Sequence, residues 1–365
     1  MNRRDLIVSS GAAALTLSAP AAASSVSSRA RALYKRALVF DANLAPPFGD
    51  FPYPDELAAI VRSSGVHAAK TSFAGTNATF EEAIFEIAYV QRVIESRPDL
   101  FLQIRVASDF ARAKAEKRYG ILFSFESTDM LDGKVERISV FRNLGVRIMQ
   151  LSYNLTSQFG SGVLADPALK LTELGRKAIE AMNSDGVALD LSHAGPATTK
   201  DAIAASTKPV LITHAGCAAI HKHPRNKTDE QLKAVADKGG VVGIYDLPYL
   251  TPSPKQPTLD DYMAHMTHAL NICGENHVGI GSDSLMTPFD TSPEGMAAYN
   301  KETERRKATG VAAPEEDRPL YVEGLNLPRR IEVIVDALLK RGYSERVAEK
   351  IAGANFARAL TEIWG

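Results

Sequence analysis

His193 and His214 stand at the carboxyl ends of two short apolar runs, Val187–Leu191 and Pro209–Thr213. The segment between them opens with Gly195-Pro196 and continues with helix formers. Strand, helix, strand in that order is a βαβ unit with parallel strands, so both imidazoles face one end of the sheet. Other reactive side chains fall at equivalent points. Glu126 ends the run Gly120–Glu126, Tyr153-Asn154 follow Val146–Ser152, and Asp283 ends His277–Asp283. A carboxylate and two imidazoles form a nitrogen and oxygen donor set suited to zinc, so Glu126, His193 and His214 are the candidate metal ligands. With one coordination position left open, such a metal lowers the pKa of a bound water and polarises a carbonyl. Asp283 stands where a proton can be taken or delivered. Each residue alone has a plainer reading: a strand-end histidine as a hydrogen-bonded core group, Glu126 as a helix cap, Asp283 as a turn former. Their convergence on one rim is what points to a site.

The elements that must hold these residues alternate regularly. Eight short runs read as buried parallel strands: Leu38–Asn43, Val66–Ser72, Gly120–Glu126, Val146–Ser152, Gly186–Leu191, Pro209–His214, Gly239–Tyr245 and His277–Asp283. Helical patterns separate most of them, at Phe80–Ser96, Val135–Asn143, Thr172–Ser184, Asp229–Lys238 and Asp260–Cys273. Thr228 with Gln231 three residues on is a capping box. The alternation predicts an α/β fold of the (β/α)8 TIM-barrel type, whose active sites lie at the strands' carboxyl ends. An open doubly wound sheet would need a Gly-rich phosphate loop after an early strand, and the sequence has none. Met286–Leu327 breaks the rhythm. It is charged, holds several prolines, and reads as a long loop placed to cover the barrel mouth or to lie on the surface. Arg329–Lys340 and Ser344–Trp364 read as closing helices.

With 365 residues, 45% of them hydrophobic, the chain can bury one large core. A formal net charge of −1 with no long single-sign run gives no footprint for nucleic acid or an anionic membrane. Two cysteines, Cys217 and Cys273, exclude a disulfide scaffold. Residues 1–24 read as an export signal: Arg3-Arg4, an apolar stretch Leu6–Leu17 too short to anchor in a bilayer, then small residues with a cleavage site near Ala21–Ala23. The paired arginines suggest twin-arginine export and a periplasmic or secreted destination. Residues 25–365 are then a single domain.

The chain resembles the membrane dipeptidase (renal dipeptidase) family of amidohydrolase-type barrels. The resemblance is carried, in the family's order, by FSFES at Phe123–Ser127, VRIMQLSYN at Val146–Asn154, LTELG at Leu171–Gly175, DLSH at Asp190–His193 and ITH at Ile212–His214. HPRN at His223–Asn226, HVGIGSD at His277–Asp283, GLNL at Gly324–Leu327 and KIAGANF at Lys350–Phe356 extend it along nearly the whole mature chain. It implies a binuclear zinc site that cleaves dipeptides. Glu126 would bridge the metals, His193 and His214 would hold the second, and Asp283 would transfer the proton. Arg225 would pair with the substrate carboxylate, a task suited to a bidentate guanidinium. Tyr153 and Asn154 would face the substrate, Tyr153 donating to a developing oxyanion. One departure stands out. The family's first strand ends in Asp-Gly-His-x-Asp, and here the His and Asp positions are Asn43 and Ala45. Neither is a good zinc ligand, so one zinc per chain is expected, with the first site weak or absent. Asp41, on the same strand face as Asn43, is the nearest substitute donor. Cys217, three residues after His214, would either join the site or be a buried inert thiol. A homodimer is compatible with this reading. Loss of half the metal site also leaves a second function open: a binding protein, or a maturation factor for a peptide or metabolite.

Overall fold

The computed structural model describes residues 26–365, and the expected export signal lies outside the described residues. Eight parallel strands follow one another in chain order: β1 Phe40–Asp41, β2 Ala68–Phe73, β3 Tyr119–Phe125, β4 Val146–Gln150, β5 Ala188–Asp190, β6 Leu211–Ala215, β7 Val241–Ile244 and β8 Val278–Ile280. The ring closes where the Ala42 amide donates to the Ile280 carbonyl at 2.9 Å. The Asp41 carboxylate fastens the same seam, accepting from the Asn43 and Ser282 amides at 2.9 Å each and from the Ser282 hydroxyl at 2.5 Å. This is the (β/α)8 barrel that the alternation predicts. The hydrogen-bonded ladders are shorter than the apolar runs because the last residues of each run turn away to form the rim.

Side chains alternate across each strand, so every second residue points inward. At the bottom of the barrel these are apolar: Ala68, Leu122, Ile148, Ala188, Leu211 and Val241 share one buried cluster. Two residues further along, the inward positions turn polar, with Lys70, Ser124, Gln150, Asp190 and Thr213, all buried. One further step reaches Ser72 and Glu126. The bottom is plugged by the helix Asn355–Trp364, whose Phe356 ring lies 5.9 Å from that of Phe40. Gly353 enables that approach, since a Cβ there would sit 2.6 Å from the Leu38 carbonyl oxygen and 2.7 Å from the Phe40 nitrogen. The closing helix expected over Ser344–Trp364 is accordingly interrupted, with a π turn at Lys350–Ala354.

The outer helices form at Phe80–Ser96, Arg137–Leu144, Glu173–Asp185, Pro196–Ala205, Asp229–Asp237 and Leu259–Cys273. The capping box at Thr228 forms as expected, Thr228 Oγ1 accepting from the Gln231 amide and Gln231 returning the bond. Several elements have no counterpart in the sequence analysis, among them the helix Ser28–Arg36. A short strand, Phe101–Gln103, pairs with the lower half of β3, and helices occupy Asp55–Ser64 and Ser108–Ala115. The expected loop over Met286–Leu327 is corrected too, since it contains the helix Pro293–Ala308. That helix has only Thr303 buried, so it lacks the apolar stripe that marks a helix in sequence. Its start is set by Ser292, which accepts from the Gly295 amide, and by Pro293 in the first turn. Among the described residues no helix is long and apolar enough to cross a membrane.

Candidate metal centre

The strand ends bring Glu126, His193 and His214 together on the rim, all buried, with one donor atom from each lying within 4.8 Å of the others. Glu126 follows β3 directly, His214 lies within β6, and His193 sits on the turn after β5. The hydrogen-bond partners decide which nitrogen of each ring is available. His193 Nδ1 lies 2.7 Å from Asn154 Oδ1, an acceptor, so Nδ1 carries the proton. Thr213 Oγ1 donates to Asp190 Oδ2 at 2.6 Å, which leaves it to accept from His214 Nδ1 at 2.8 Å. Both Nε2 lone pairs then face one another across 3.0 Å. A shared proton is disfavoured there. Burial first, and then the charges of Arg225 and Lys70, hold both histidines well below the usual imidazole range. Two neutral imidazoles with converging lone pairs beside a carboxylate fit a single borderline cation.

The second seat implied by the resemblance does not fit a metal. Ala45 offers no donor, and its backbone pairs with Leu285 in a two-residue ladder beside the rim. Asp41 does not substitute, because its carboxylate is committed to the β1–β8 seam. Asn43 is buried in the centre instead. Its Nδ2 donates to Glu126 Oε1 at 3.0 Å and to Asp283 Oδ1 at 2.7 Å. Those two bonds use both amide hydrogens, so its 3.2 Å approach to His214 Nδ1 is a contact only.

Asp283 Oδ2 lies 3.9 Å from His214 Nε2 and 3.9 Å from Arg225 Nη2. Its backbone is in the left-handed region (φ 54°), a conformation that non-glycine residues hold only where the surroundings enforce it. Gly281, just before it, passes so close to β6 that a Cβ would fall 1.8 Å from the Thr213 carbonyl oxygen. Arg225 donates Nη1 to the Ser192 carbonyl at 2.6 Å, while Nη2 is buried and has no hydrogen-bond partner among the described residues. The Tyr153 ring stacks on His193 with 4.1 Å between centroids, and its hydroxyl accepts from Arg306 Nη2 at 3.4 Å. Asn154, expected to face the substrate, is tied to its protein neighbours. Its oxygen holds His193 and its Nδ2 donates to the Val311 carbonyl at 2.8 Å, so both polar ends are engaged.

Lys70, Lys227 and Arg306 are site residues that the sequence reading missed. Lys70 is a fully buried lysine inside the barrel. Lys227 donates to the Ala194 carbonyl at 2.8 Å, and burial brings its ammonium down to about 7. Arg306 arrives from the helix over the mouth, paired with Glu316. Cys217 is the inert thiol of its plainer reading. Burial raises its pKa, and its Sγ contacts the His265 carbonyl at 3.4 Å. His221 and His223 tie the loop after β6 to the covering segment, through Glu315 Oε2 at 3.3 Å and the Pro314 carbonyl at 2.9 Å.

A closed parallel barrel with acid, imidazole and guanidinium groups converging on its carboxyl-end rim is the build of the amidohydrolase-type hydrolases. Residues 60–301 match the family described as membrane dipeptidase (peptidase family M19), and the chain belongs to that family. It is 27% identical over 290 residues to dipeptidase tcpJ of Claviceps purpurea, covering 79% of this chain but only 61% of that relative's length. It is 28% identical over 268 residues to an uncharacterised Klebsiella pneumoniae protein encoded 5′ of pqqA, covering 71% of this chain and 87% of that one. Among solved structures, an amidohydrolase from Pseudomonas aeruginosa superimposes with a TM-score of 0.81 at 29% identity, over 92% of this chain and 99% of that one. A Rhodobacter sphaeroides metallopeptidase liganded with a phosphinate mimic of L-Ala-D-Ala shares the fold, with a TM-score of 0.71 at 18% identity over 89% and 99% of the two chains.

Proposed function

We propose that this protein is an exported hydrolase that uses one zinc ion to cleave a dipeptide, or a related small amide with a free carboxylate. The observation that carries this reading is the pair of neutral imidazoles whose Nε2 atoms converge beside Glu126. Glu126, His193 and His214 would hold the ion, which when bound supplies an activated water and polarises the scissile carbonyl. The chain's own groups do the rest. Arg225 has a buried, unbonded Nη2 to offer a substrate carboxylate and is held in place by its Nη1 bond to Ser192. Asp283 would hold the proton at Oδ2 and pass it to the leaving amine, kept in place by Asn43. Tyr153 and Arg306 would offer hydrogen bonds to the developing oxyanion from the mouth side. The helix Pro293–Ala308 and the residues after it would exclude water. Arg3-Arg4 and the short apolar stretch behind them support export.

A second reading has one observation in its favour. Lys70, Lys227 and Arg225 all add positive charge around the imidazoles and oppose a dication. Under that reading the barrel is a binding or maturation protein for a peptide or metabolite. Elemental analysis of the mature protein, run beside a screen of dipeptides and N-acyl amino acids, separates the two. About one zinc per chain with hydrolysis of a carboxylate-bearing substrate is expected. Metal-free protein that cleaves nothing overturns the hydrolase. Recovery from the cytoplasm rather than the periplasm overturns the export assignment.

A further inference from the structure

The space beside Glu126 that would take a second cation is filled by the protein itself. Lys70 points inward from β2 and is fully buried. Its Nζ lies 3.1 Å from Asn43 Oδ1, 3.4 Å from Glu126 Oε1 and 3.8 Å from Asp190 Oδ2. Ser72 Oγ also donates to Glu126 Oε1, at 3.0 Å, as does Asn43 Nδ2 at 3.0 Å. Three donors, one of them an ammonium, therefore act on a single carboxylate oxygen. We propose that Lys70 and Asn43 together are a built-in replacement for the second cation, and that they confine this centre to one metal. The proposal rests on the single-zinc reading above and names the residues that enforce it.

Charge and geometry both support this assignment. A buried ammonium persists only where carboxylates neutralise it, and Glu126 and Asp190 are within reach. A bridging carboxylate must offer one oxygen to each of two metals, and here Oε1 already serves the ammonium, the amide and the hydroxyl. The asparagine amide is matched to this arrangement. Its oxygen takes the ammonium while its nitrogen takes Glu126 and Asp283. A neutral imidazole at that position has a single N–H, so it could not donate to both Glu126 and Asp283 while accepting from the ammonium. Lys70 is thus a positioning residue, acting on the metal through Glu126. Restoring the family's His-x-Asp pair alone would leave the ammonium in place to repel a second dication.

Zinc titration of three forms tests this: the native chain, Asn43→His with Ala45→Asp, and that pair combined with Lys70→Ala. Expected stoichiometries are about one, about one and about two. A double variant that reaches two with Lys70 intact overturns the proposal, and so does a folded triple variant that takes up no more zinc than the double. The proposal is read from the increment between the double and triple forms. The single-zinc reading is tested by the native count, so the two can fail separately. Should the triple form fail to fold, crystals of the native protein in excess zinc decide. A single anomalous peak shared by Glu126 and the two imidazoles is expected beside an ordered Lys70 side chain, and a second peak at Glu126 overturns the proposal.

Discussion

Asn154 acts on this centre only through His193, whose Nδ1 it holds at 2.7 Å while its own amide is anchored on Val311. Losing such an outer hydrogen bond costs about 10–100-fold in metal affinity, so Asn154→Leu is expected to weaken zinc by that factor in chelator competition. Asn154→Asp, which keeps the acceptor, should retain most of the affinity. Arg225 predicts differently. A charge-assisted bond to a carboxylate contributes about 1.5–3 kcal/mol, so Arg225→Lys should raise KM about 10–100-fold for substrates with a free carboxylate. The same variant should treat carboxamide analogues as the native protein does, and an equal loss on both kinds would remove Arg225 from carboxylate recognition. Glu126, His193 and His214 were legible in the sequence because a reactive residue that ends an apolar parallel strand falls on the barrel rim. Lys70 obeyed the same two-residue alternation, Ala68, Lys70, Ser72, but a lysine is ordinarily read as solvated. Its signal was the lack of any exposed face on a barrel strand. Such a lysine needs a buried carboxylate, and Glu126 and Asp190 lie on the strands that supply one.

At the scale of elements, the cover over the barrel mouth is the part least visible in sequence. The helix Pro293–Ala308 is held by its ends and by surface pairs such as Glu302–Arg305 and Glu304–Lys307, not by an apolar face. Isolated pairs of that kind contribute only about 0.2–0.5 kcal/mol each. What docks it is the segment after it: Arg306 pairs with Glu316, Val311 accepts from Asn154, and Arg318 donates to the Pro248 carbonyl at 2.7 Å. Arg306→Ala is therefore expected to speed proteolytic nicking within 286–327 and to leave the barrel's melting temperature nearly unchanged. It should also lower kcat/KM about tenfold, the size of one charge-assisted hydrogen bond. Unchanged nicking would show that Arg306 does not latch the cover. The barrel strands, by contrast, were legible because parallel strands covered on both faces read as continuous apolar runs. Phe101–Gln103 escaped notice because it is too short to show a period, and it reaches only the lower half of β3.

Across the whole molecule, three histidines outside the rim's donor set hold separate parts of the barrel together as neutral rings. His67 Nδ1 accepts from the Val39 amide at 3.0 Å, where the chain enters β1. His223 Nδ1 accepts from the Arg225 amide at 3.1 Å, in the loop after β6. His265, fully buried on its helix, accepts at Nδ1 from the Cys217 amide at 2.9 Å and donates from Nε2 to the Leu250 carbonyl at 2.9 Å. Burial brings each of them down from 6.5 to about 4. Each also has a geometric reason to stay neutral, because protonating Nδ1 destroys the acceptor that the backbone amide uses. Between those two pH values the unfolded chain binds more protons than the folded one, so unfolding free energy rises with pH there. The stabilisation is complete above about pH 6.5 and is lost as the pH falls toward 4. For His265 the loss is on the order of 2 kcal/mol. His265→Gln keeps an acceptor and a donor without the titration. Urea unfolding at pH 6.5 and pH 4.5, with and without zinc, should show a smaller drop for this variant than for the native chain. Equal drops in the two proteins would move the acid sensitivity to other groups and leave His265 as packing alone.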